Sequence, residues 1–375
     1  MQRLLGEAVW DADAVRDDLR GYVVDALGDP GGVLIVDDTG DLKKGYHTVG
    51  VQRQYTGTAG RVENAQVAVF LAYAAPAGYT LIDREVYLPR CWSEDPARCA
   101  VAGVPKHVGF ATKVTLARRM LARALDANVP AAWCTADEFY GGDRHLRRDL
   151  QRRGVGYVLA VAKNHRVIAR AADGPLRADR LAAGLPSRAW NRLSAGAGSK
   201  GDRDYDWAWI DITAPDDEAA GQHTLLVRRR ISDGELAFYR CWSSRPVPLR
   251  ILVGVAGTRW SVETCFQTGK TIGLDEPQVR RWDSWYRHTT LVMLAHAILT
   301  VIAARERDGQ PVTDQPRIPL TLNEIRRLFA RFITNTAYTI GHWLHWSNWR
   351  RRHQARARTS HYRRRGQTIH QPAST

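Results

Sequence analysis

GGVLIVDDTG, residues 31–40, is the stretch that decides the fold. Residues 33–36 form a continuous apolar run, which is typical of a strand buried on both faces. Asp37 and Asp38 follow directly, so we expect two carboxylates at the end of this strand. Residues 1–29 carry apolar side chains at helical spacing and end in a turn rich in Gly and Pro, which predicts one or two short helices ahead of the strand.

The chain that follows predicts the rest of a sheet. Two β-rich runs, residues 65–74 and 79–87, flank Ala75-Pro76-Ala77-Gly78 and predict a hairpin. Helical and strand patterns then alternate over residues 115–127, 131–135, 144–153 and 157–162. Three antiparallel strands followed by helix, strand, helix and strand form the ribonuclease H-like (RNase H-like) topology. We therefore predict an α/β fold, a mixed five-stranded sheet flanked by helices, with Asp38 and Asp137 on neighbouring strand ends.

Residues 164–250 interrupt this alternation with strand pairs and turn signals at Gly196-Ala197-Gly198 and Ser232-Asp233-Gly234. We expect a β-rich insertion there and a helical C-terminal region after it. The predicted divisions are a short helical segment (1–32), the first part of the core (33–163), the insertion (164–250), the resumed core with a catalytic helix and the helix after it (251–308), and a C-terminal helix with a basic tail (309–375).

The helices after the insertion differ in character. The most apolar one, centred on residues 291–304, contains His296 and is expected to be too short to span a membrane. Another is expected over residues 322–332, opened by Thr321 with Glu324 three residues on. Residues 342–366 contain eight arginines and no acid, a pattern typical of disordered nucleic-acid tails, although the spacing of Trp343, Trp346 and Trp349 also fits a packed helix with aromatics in the core.

The charge balance favours a polyanionic partner. The 375 residues contain 54 Lys plus Arg against 39 Asp plus Glu, for a net charge of +15. Such an excess favours nucleic acid through counterion release and phosphate contacts. The five cysteines are scattered without a CxxC pair, and the N-terminal residues carry acids where a signal peptide needs an apolar core. We expect a cytoplasmic, nucleoid-associated protein with reduced thiols.

RWSVETCFQTGK, residues 259–270, carries the main chemical signal. On a helix, Arg259 and Lys270 fall within roughly 40° of Glu263. One face therefore offers a carboxylate between two cations, although an ordinary amphipathic helix with solvated charges has the same pattern. A divalent metal ion needs several oxygen ligands, and Asp37 or Asp38, together with Asp137, are the candidate partners of Glu263.

The basic loop after the first strand contains Lys43, Lys44 and Arg53. It has two interpretations, an ordinary exposed loop or a loop that contacts phosphates, because it follows a candidate metal ligand.

Five segments together resemble a known family. They are LIVDDTGDLKKGYHTVGVQRQYTG, NAQVAVFLAY, TADEFYGGD, GSKGDRDYDWAW and RWSVETCFQTGKTIGLDEPQVRRWDSWYRH. Their order and spacing are similar to those of transposases of bacterial insertion sequences, namely the insertion-sequence 701 family, related to the insertion-sequence 4 group, in the DDE superfamily. The resemblance covers roughly residues 8–305. The family's signature around the third acid has a Tyr where this chain has Ala256.

The resemblance implies DNA strand cleavage and strand transfer at insertion-sequence ends by a homodimer on double-stranded DNA. It implies Asp38, with Asp37 an open alternative, together with Asp137 and Glu263 as catalytic ligands of two Mg²⁺ (or Mn²⁺) ions. It further implies a base flipped onto an aromatic residue of the insertion. Trp190, Trp207 and Trp209 are the candidates and Trp207 is chosen, although packing is the common role of a Trp in such an insertion. DNA contacts are expected from Arg259, Lys270, Lys43, Lys44, Arg53, Lys200 and Arg203.

Two other functions remain open from the sequence. One is a metal-dependent nuclease of the same fold that does not join strands. The other is an inactive DNA-binding relic, which is suggested by the short region before the first strand, where family members carry a longer helical region. A truncated or misassigned start would explain that difference.

Overall fold

The computed structural model describes residues 2–170, 172–198, 201–309, 318–334, 339–364 and 366. Its strands are β1 (Val33–Leu42), β2 (Gln52–Thr56), β3 (Arg61–Ala75), β4 (Gly78–Val86), β5 (Trp133–Ala136), β6 (Gly156–Val161), β7 (Arg166–Val167), β8 (Leu176–Arg177), β9 (Asn191–Gly198), β10 (Gly201–Asp211), β11 (Gln222–Arg229) and β12 (Leu236–Ser243). Its α-helices are α1 (Gln2–Gly6), α2 (Ala12–Leu27), α3 (Arg90–Ser93), α4 (Pro96–Val101), α5 (Lys113–Asp126), α6 (Glu138–Gly141), α7 (Arg144–Arg152), α8 (Ala178–Ala183), α9 (Leu249–Thr258), α10 (Trp260–Thr271), α11 (Trp282–Asp308), α12 (Leu322–Thr334) and α13 (Ile340–Arg364).

The centre of the sheet has the predicted RNase H-like order. Strands β4, β3, β1, β5 and β6 lie side by side in that sequence. The pairs β4–β3 and β3–β1 are antiparallel, while β1–β5 and β5–β6 are parallel. Helices pack on the sheet, and a cluster of buried apolar side chains lies between the layers. The predicted α/β fold class is therefore confirmed.

Strand β1 is longer than predicted. It runs from Val33 to Leu42, so that Asp37 and Asp38 lie within the strand and not at its end. The reason is the 15-residue partner β3, which pairs with β1 residue by residue from Ala74 down to Ala65. The predicted loop after β1 also contains a strand, β2, which pairs with the beginning of β3.

The β-rich insertion continues the central sheet. Strand β12 pairs antiparallel with β6, and β11, β10 and β9 follow outward, which gives ten strands in one sheet among the described residues. Gly196-Ala197-Gly198 belong to strand β9, so the expected turn at these residues is wrong. The turn at residues 232–234 lies between β11 and β12, as predicted.

Helix α11 is longer than predicted, so the expectation that it is too short to span a membrane is wrong. It has 27 residues and by length and composition alone could cross a membrane, but 61% of its most apolar window is buried inside the fold. Its His296 ring contacts the hydroxyl of Thr80 on β4 at 2.7 Å. Helix α11 is thus the core helix of a globular fold.

The basic tail is helical and not an extended disordered segment over its described part. Helix α13 covers residues 340–364, but two of its three regularly spaced tryptophans are not core residues. Trp346 and Trp349 are 43% and 49% exposed. The packed-helix alternative is therefore correct for the backbone and wrong for these two aromatic side chains.

Candidate active site

The side chain of Asp37 points towards helix α10. It is buried, and its Oδ2 atom lies 3.3 Å from Nη1 of Arg259. Arg259 connects α9 to α10 with helical backbone angles, one turn before Glu263. The junction is fixed against the insertion, because a Cβ atom on Gly257 would lie 2.0 Å from the carbonyl oxygen of Ala195. Glycine at this position therefore allows α9 to approach β9 closely enough to bring Arg259 to Asp37.

The side chain of Asp38 has different partners. Successive side chains of a strand point to opposite faces of the sheet. Asp38 accepts a hydrogen bond from the Tyr140 hydroxyl at 2.8 Å and forms an ion pair with Lys113 Nζ at 2.9 Å. Lys113 begins α5 and Tyr140 belongs to α6, and neither residue was singled out from the sequence. The pairing depends on how these helices pack, which the sequence pattern alone does not indicate.

Asp137 lies at the end of β5, directly beside β1, as predicted for the fold. Its carboxylate caps α6 by accepting hydrogen bonds from the backbone N–H groups of Phe139 and Tyr140, at 3.0 and 3.4 Å. The short helix packs tightly, since a Cβ atom on Gly141 would lie 1.9 Å from the carbonyl oxygen of Ala160 on β6. Glycine at position 141 therefore lets α6 pack directly on β6, which keeps the capping residue Asp137 close to the central strands.

The acids influence one another electrostatically. Burial raises the pKa of Asp37 to about 7, and the charges of Asp137 and Glu263 act in the same direction, while Arg259 opposes them. Burial also raises the pKa of Asp137; Arg259 lowers it and the charge of Asp38 raises it further. Asp37, Asp137, Glu263 and Arg259 therefore form one electrostatic group, which we call the acid cluster. Asp38 is coupled to it through Asp137.

The donor set of the acid cluster is of the kind that a divalent metal ion requires. Carboxylate oxygens are the preferred ligands of Mg²⁺ and Mn²⁺. The raised pKa of Asp37 indicates that its buried negative charge lacks sufficient positive charge nearby, which a cation would supply. However, no group of three Asp, Glu, His or Cys side chains among the described residues is arranged to hold a metal ion in this conformation.

The cations predicted to contact DNA have different surroundings. Lys43 pairs with Asp41 and donates to the carbonyl oxygen of Pro277 at 2.8 Å, so it links the loop after β1 to the segment after α10. Lys270 is half-buried in the last turn of α10. Lys44 and Arg53 are exposed.

Arg203 is the only one of the two predicted DNA-binding cations of the insertion that lies among the described residues. Arg203 donates to the carbonyl oxygens of Ala195 and Gly257, at 2.7 and 3.1 Å, and therefore joins the insertion to α9. Lys200 lies outside the described residues.

The sequence-based choice of Trp207 as a base-stacking residue needs correction. Its side chain is 1% exposed, its indole N–H donates to the carbonyl oxygen of Leu193 at 3.1 Å, and its ring packs near Tyr205 and Tyr239. The ring belongs to the main cluster of buried apolar side chains, so a base cannot reach it in this conformation. Trp209, two residues on, is 37% exposed.

Comparison with known proteins places the chain in a superfamily. Over 169 residues the chain is 28% identical to the "Probable transposase for insertion sequence element IS701" of Microchaete diplosiphon, a match that covers 44% of this chain and 41% of that protein. The chain therefore spans less than half of that relative's length. Residues 1–200 match the family described as DDE superfamily endonuclease, a segment that includes Asp37, Asp38 and Asp137. Because this match covers more than half of the chain, the protein belongs to the DDE superfamily of endonucleases.

Proposed function

We propose that this protein is a transposase that cuts DNA at the ends of an insertion sequence and joins the cut strands to target DNA. The observation that supports the proposal is the acid cluster, in which the buried Asp37 carboxylate of β1 forms an ion pair with Arg259 and is influenced electrostatically by Asp137 and Glu263. Membership of the DDE superfamily and the similarity to an insertion-sequence transposase support it.

The proposed ligand set is Asp137, Glu263 and one aspartate of the pair Asp37 and Asp38. The resemblance pointed to Asp38 and left Asp37 open. Asp37 is favoured by its ion pair with Arg259 and by the influence of Glu263 on its pKa, whereas Asp38 points to Lys113 and Tyr140 on the opposite face. We therefore propose Asp37 as the first ligand and assign Asp38 to positioning β1 against α5 and α6.

The chain's own residues supply binding and orientation. A divalent metal ion bound by these carboxylates supplies a Lewis acid for phosphodiester chemistry and favours deprotonation of the attacking water or 3′-hydroxyl. Arg259 pairs with Asp37, and its guanidinium could bind a phosphate oxygen through the same N–H donors. Lys270, on the same face of α10, contributes further positive charge towards the phosphodiester.

Single substitutions test this assignment. A duplex carrying the ends of the protein's own insertion sequence is incubated with Mg²⁺ and the Asp37→Asn, Asp38→Asn, Asp137→Asn or Glu263→Gln variant. We expect Asp137→Asn, Glu263→Gln and Asp37→Asn to abolish cleavage, and Asp38→Asn to retain part of it. Asp126→Asn is the matched control, because Asp126 is exposed and pairs only with Arg153 among the described residues.

The products separate the proposed function from its rivals. Joining of 3′-hydroxyl ends to a second duplex is expected of a transposase, whereas accumulation of unjoined 3′-hydroxyl ends would identify a nuclease. Binding without cleavage in Mg²⁺ or Mn²⁺ would identify an inactive relic. Full activity of Asp137→Asn or Glu263→Gln would remove that residue from the ligand set.

A further inference from the structure

Helix α13 is fixed to the rest of the protein at two places. Near its middle, Arg350 donates through Nε and Nη2 to the Glu324 carboxylate of α12, at 3.0 and 2.5 Å, and Glu324 is 1% exposed. Near its end, Tyr362 is also 1% exposed, and its hydroxyl donates to the carbonyl oxygen of Gly198 at 3.2 Å. The helix is therefore held in a defined position and does not behave as a free tail.

Three arginines that α13 does not use for anchoring share one side of the helix. At about 100° per residue, Arg352, Arg356 and Arg363 fall within about 40° of one another. All three are exposed, and none is ion-paired with a residue that the structure describes. Together with Thr359 and Ser360 they line an open groove along the helix. We call this side the arginine face.

The chemistry of the arginine face matches a row of phosphates. Guanidinium groups bind phosphate oxygens through two N–H donors at once, and hydroxyl groups add further donors. At about 1.5 Å per residue, Arg352 and Arg363 are about 16 Å apart along the helix axis, so together they can contact several phosphates of one duplex. No acid occurs anywhere in residues 342–366 to compete for these donors.

The arginine face is also connected to the acid cluster. Tyr362 contacts Gly198 at the end of β9, and β9 approaches α9 closely at Ala195 and Gly257. Helix α9 continues directly into Arg259 of the acid cluster. A duplex bound to α13 would therefore contact a helix that is anchored to β9, and β9 packs against α9, which leads into α10.

From these observations we infer that α13 is a duplex-DNA-binding surface, in which Arg352, Arg356 and Arg363 contact backbone phosphates independently of base sequence. The inference rests on the proposed function, since it concerns the same DNA substrate, and it adds a contact surface outside the acid cluster and outside the cations expected from the resemblance. An anionic membrane surface would also attract arginines, and the test below includes it as an outcome.

The experiment measures binding of a fluorescent duplex of about 30 base pairs, of arbitrary sequence, at several salt concentrations. Removing three phosphate contacts should reduce the slope of log affinity against log salt by about 2.7. We compare the wild type with the variant Arg352→Gln/Arg356→Gln/Arg363→Gln as salt rises from about 50 to about 200 mM. Over this range the affinity of the wild type for the duplex should fall by a factor about 40 times larger than that of the variant. The corresponding triple Lys variant, which retains the charges, should keep a slope close to that of the wild type.

The matched control is Arg166→Gln/Arg188→Gln/Arg245→Gln, which removes the same charge from exposed arginines outside α13 that form no ion pair with a described residue. An unchanged slope in this control, with the loss confined to the α13 variant, supports the inference. Equal losses in both variants would overturn it, because net charge alone would explain binding. Stronger binding to anionic lipid vesicles than to the duplex would also overturn it.

Cleavage separates the two proposals. If the wild type binds and cleaves DNA while the α13 variant keeps the wild-type salt slope, the inference fails and the proposed function stands. If the wild type neither binds nor cleaves any duplex, both fail.

Discussion

Replacing Trp207 by alanine tests whether this residue is a packing residue or a base-binding one. Its side chain is 1% exposed, and it contacts the rings of Tyr205 and Tyr239 on two strands of the insertion. Truncating a fully buried tryptophan costs about 3–5 kcal/mol, and losing the N–H bond to Leu193 adds about 1 kcal/mol by leaving that carbonyl without its donor. We therefore expect Trp207→Ala to lower the free energy of unfolding by about 4–6 kcal/mol.

The assay is urea unfolding followed by tryptophan fluorescence and circular dichroism, together with DNA cleavage at a temperature where each variant is folded. Trp209→Ala is the matched control, because it is the same residue type on the same strand but is 37% exposed. We expect it to cost about 2–3 kcal/mol, in proportion to its smaller buried area. The reasoning is refuted if Trp207→Ala unfolds within about 1 kcal/mol of the wild type yet loses cleavage, since that result would describe an accessible ring that acts on the DNA.

Three further predictions concern stability. Burial lowers the pKa of His296 from 6.5 to about 4, so between these pH values the unfolded chain binds a proton that the folded chain does not. The contribution of His296 to stability is therefore complete above pH 6.5 and falls by up to about 3 kcal/mol as the pH drops to 4. Urea titrations of His296→Gln should not show this loss. Gly257→Ala should destabilise the protein by about 1–3 kcal/mol, because its Cβ atom would overlap the backbone of Ala195. Gly254→Ala, on the same helix but with nothing within 4 Å of its Cβ position, should be neutral or stabilising by up to about 1 kcal/mol. Equal thermal stabilities of the two variants would contradict the close approach of α9 to β9. Glu324→Ala leaves Arg350 without its carboxylate and should make α13 susceptible to limited proteolysis, which would remain unchanged if the pair did not anchor the helix.

The sequence was sufficient for the elements whose pattern is local. Apolar runs, turn residues and helical periodicity predicted the order of the five central strands and the helices between them. The extension of β1 was missed because it depends on β3, a partner thirty residues away. The burial of Trp207 was missed because its surroundings come from other strands. Similarly, the ordered helical structure of the basic tail depends on its contacts with Glu324 and Gly198. The sequence pattern of α13 does not indicate these contacts, because both residues lie outside the helix.

The pair Asp37 and Asp38 marks the limit of sequence reasoning at the acid cluster. Both are acids on one buried strand, and neither periodicity nor composition distinguishes them. A strand directs its successive side chains to opposite faces, so the identity of the first ligand depends on which face α10 covers. The guanidinium of Arg259, at the start of α10, contacts Asp37 and not Asp38, which is the reason we propose Asp37. Lys113 and Tyr140 meanwhile satisfy Asp38 without any metal ion. Two adjacent, chemically identical residues therefore have different partners because of the helices packed on either side of one strand.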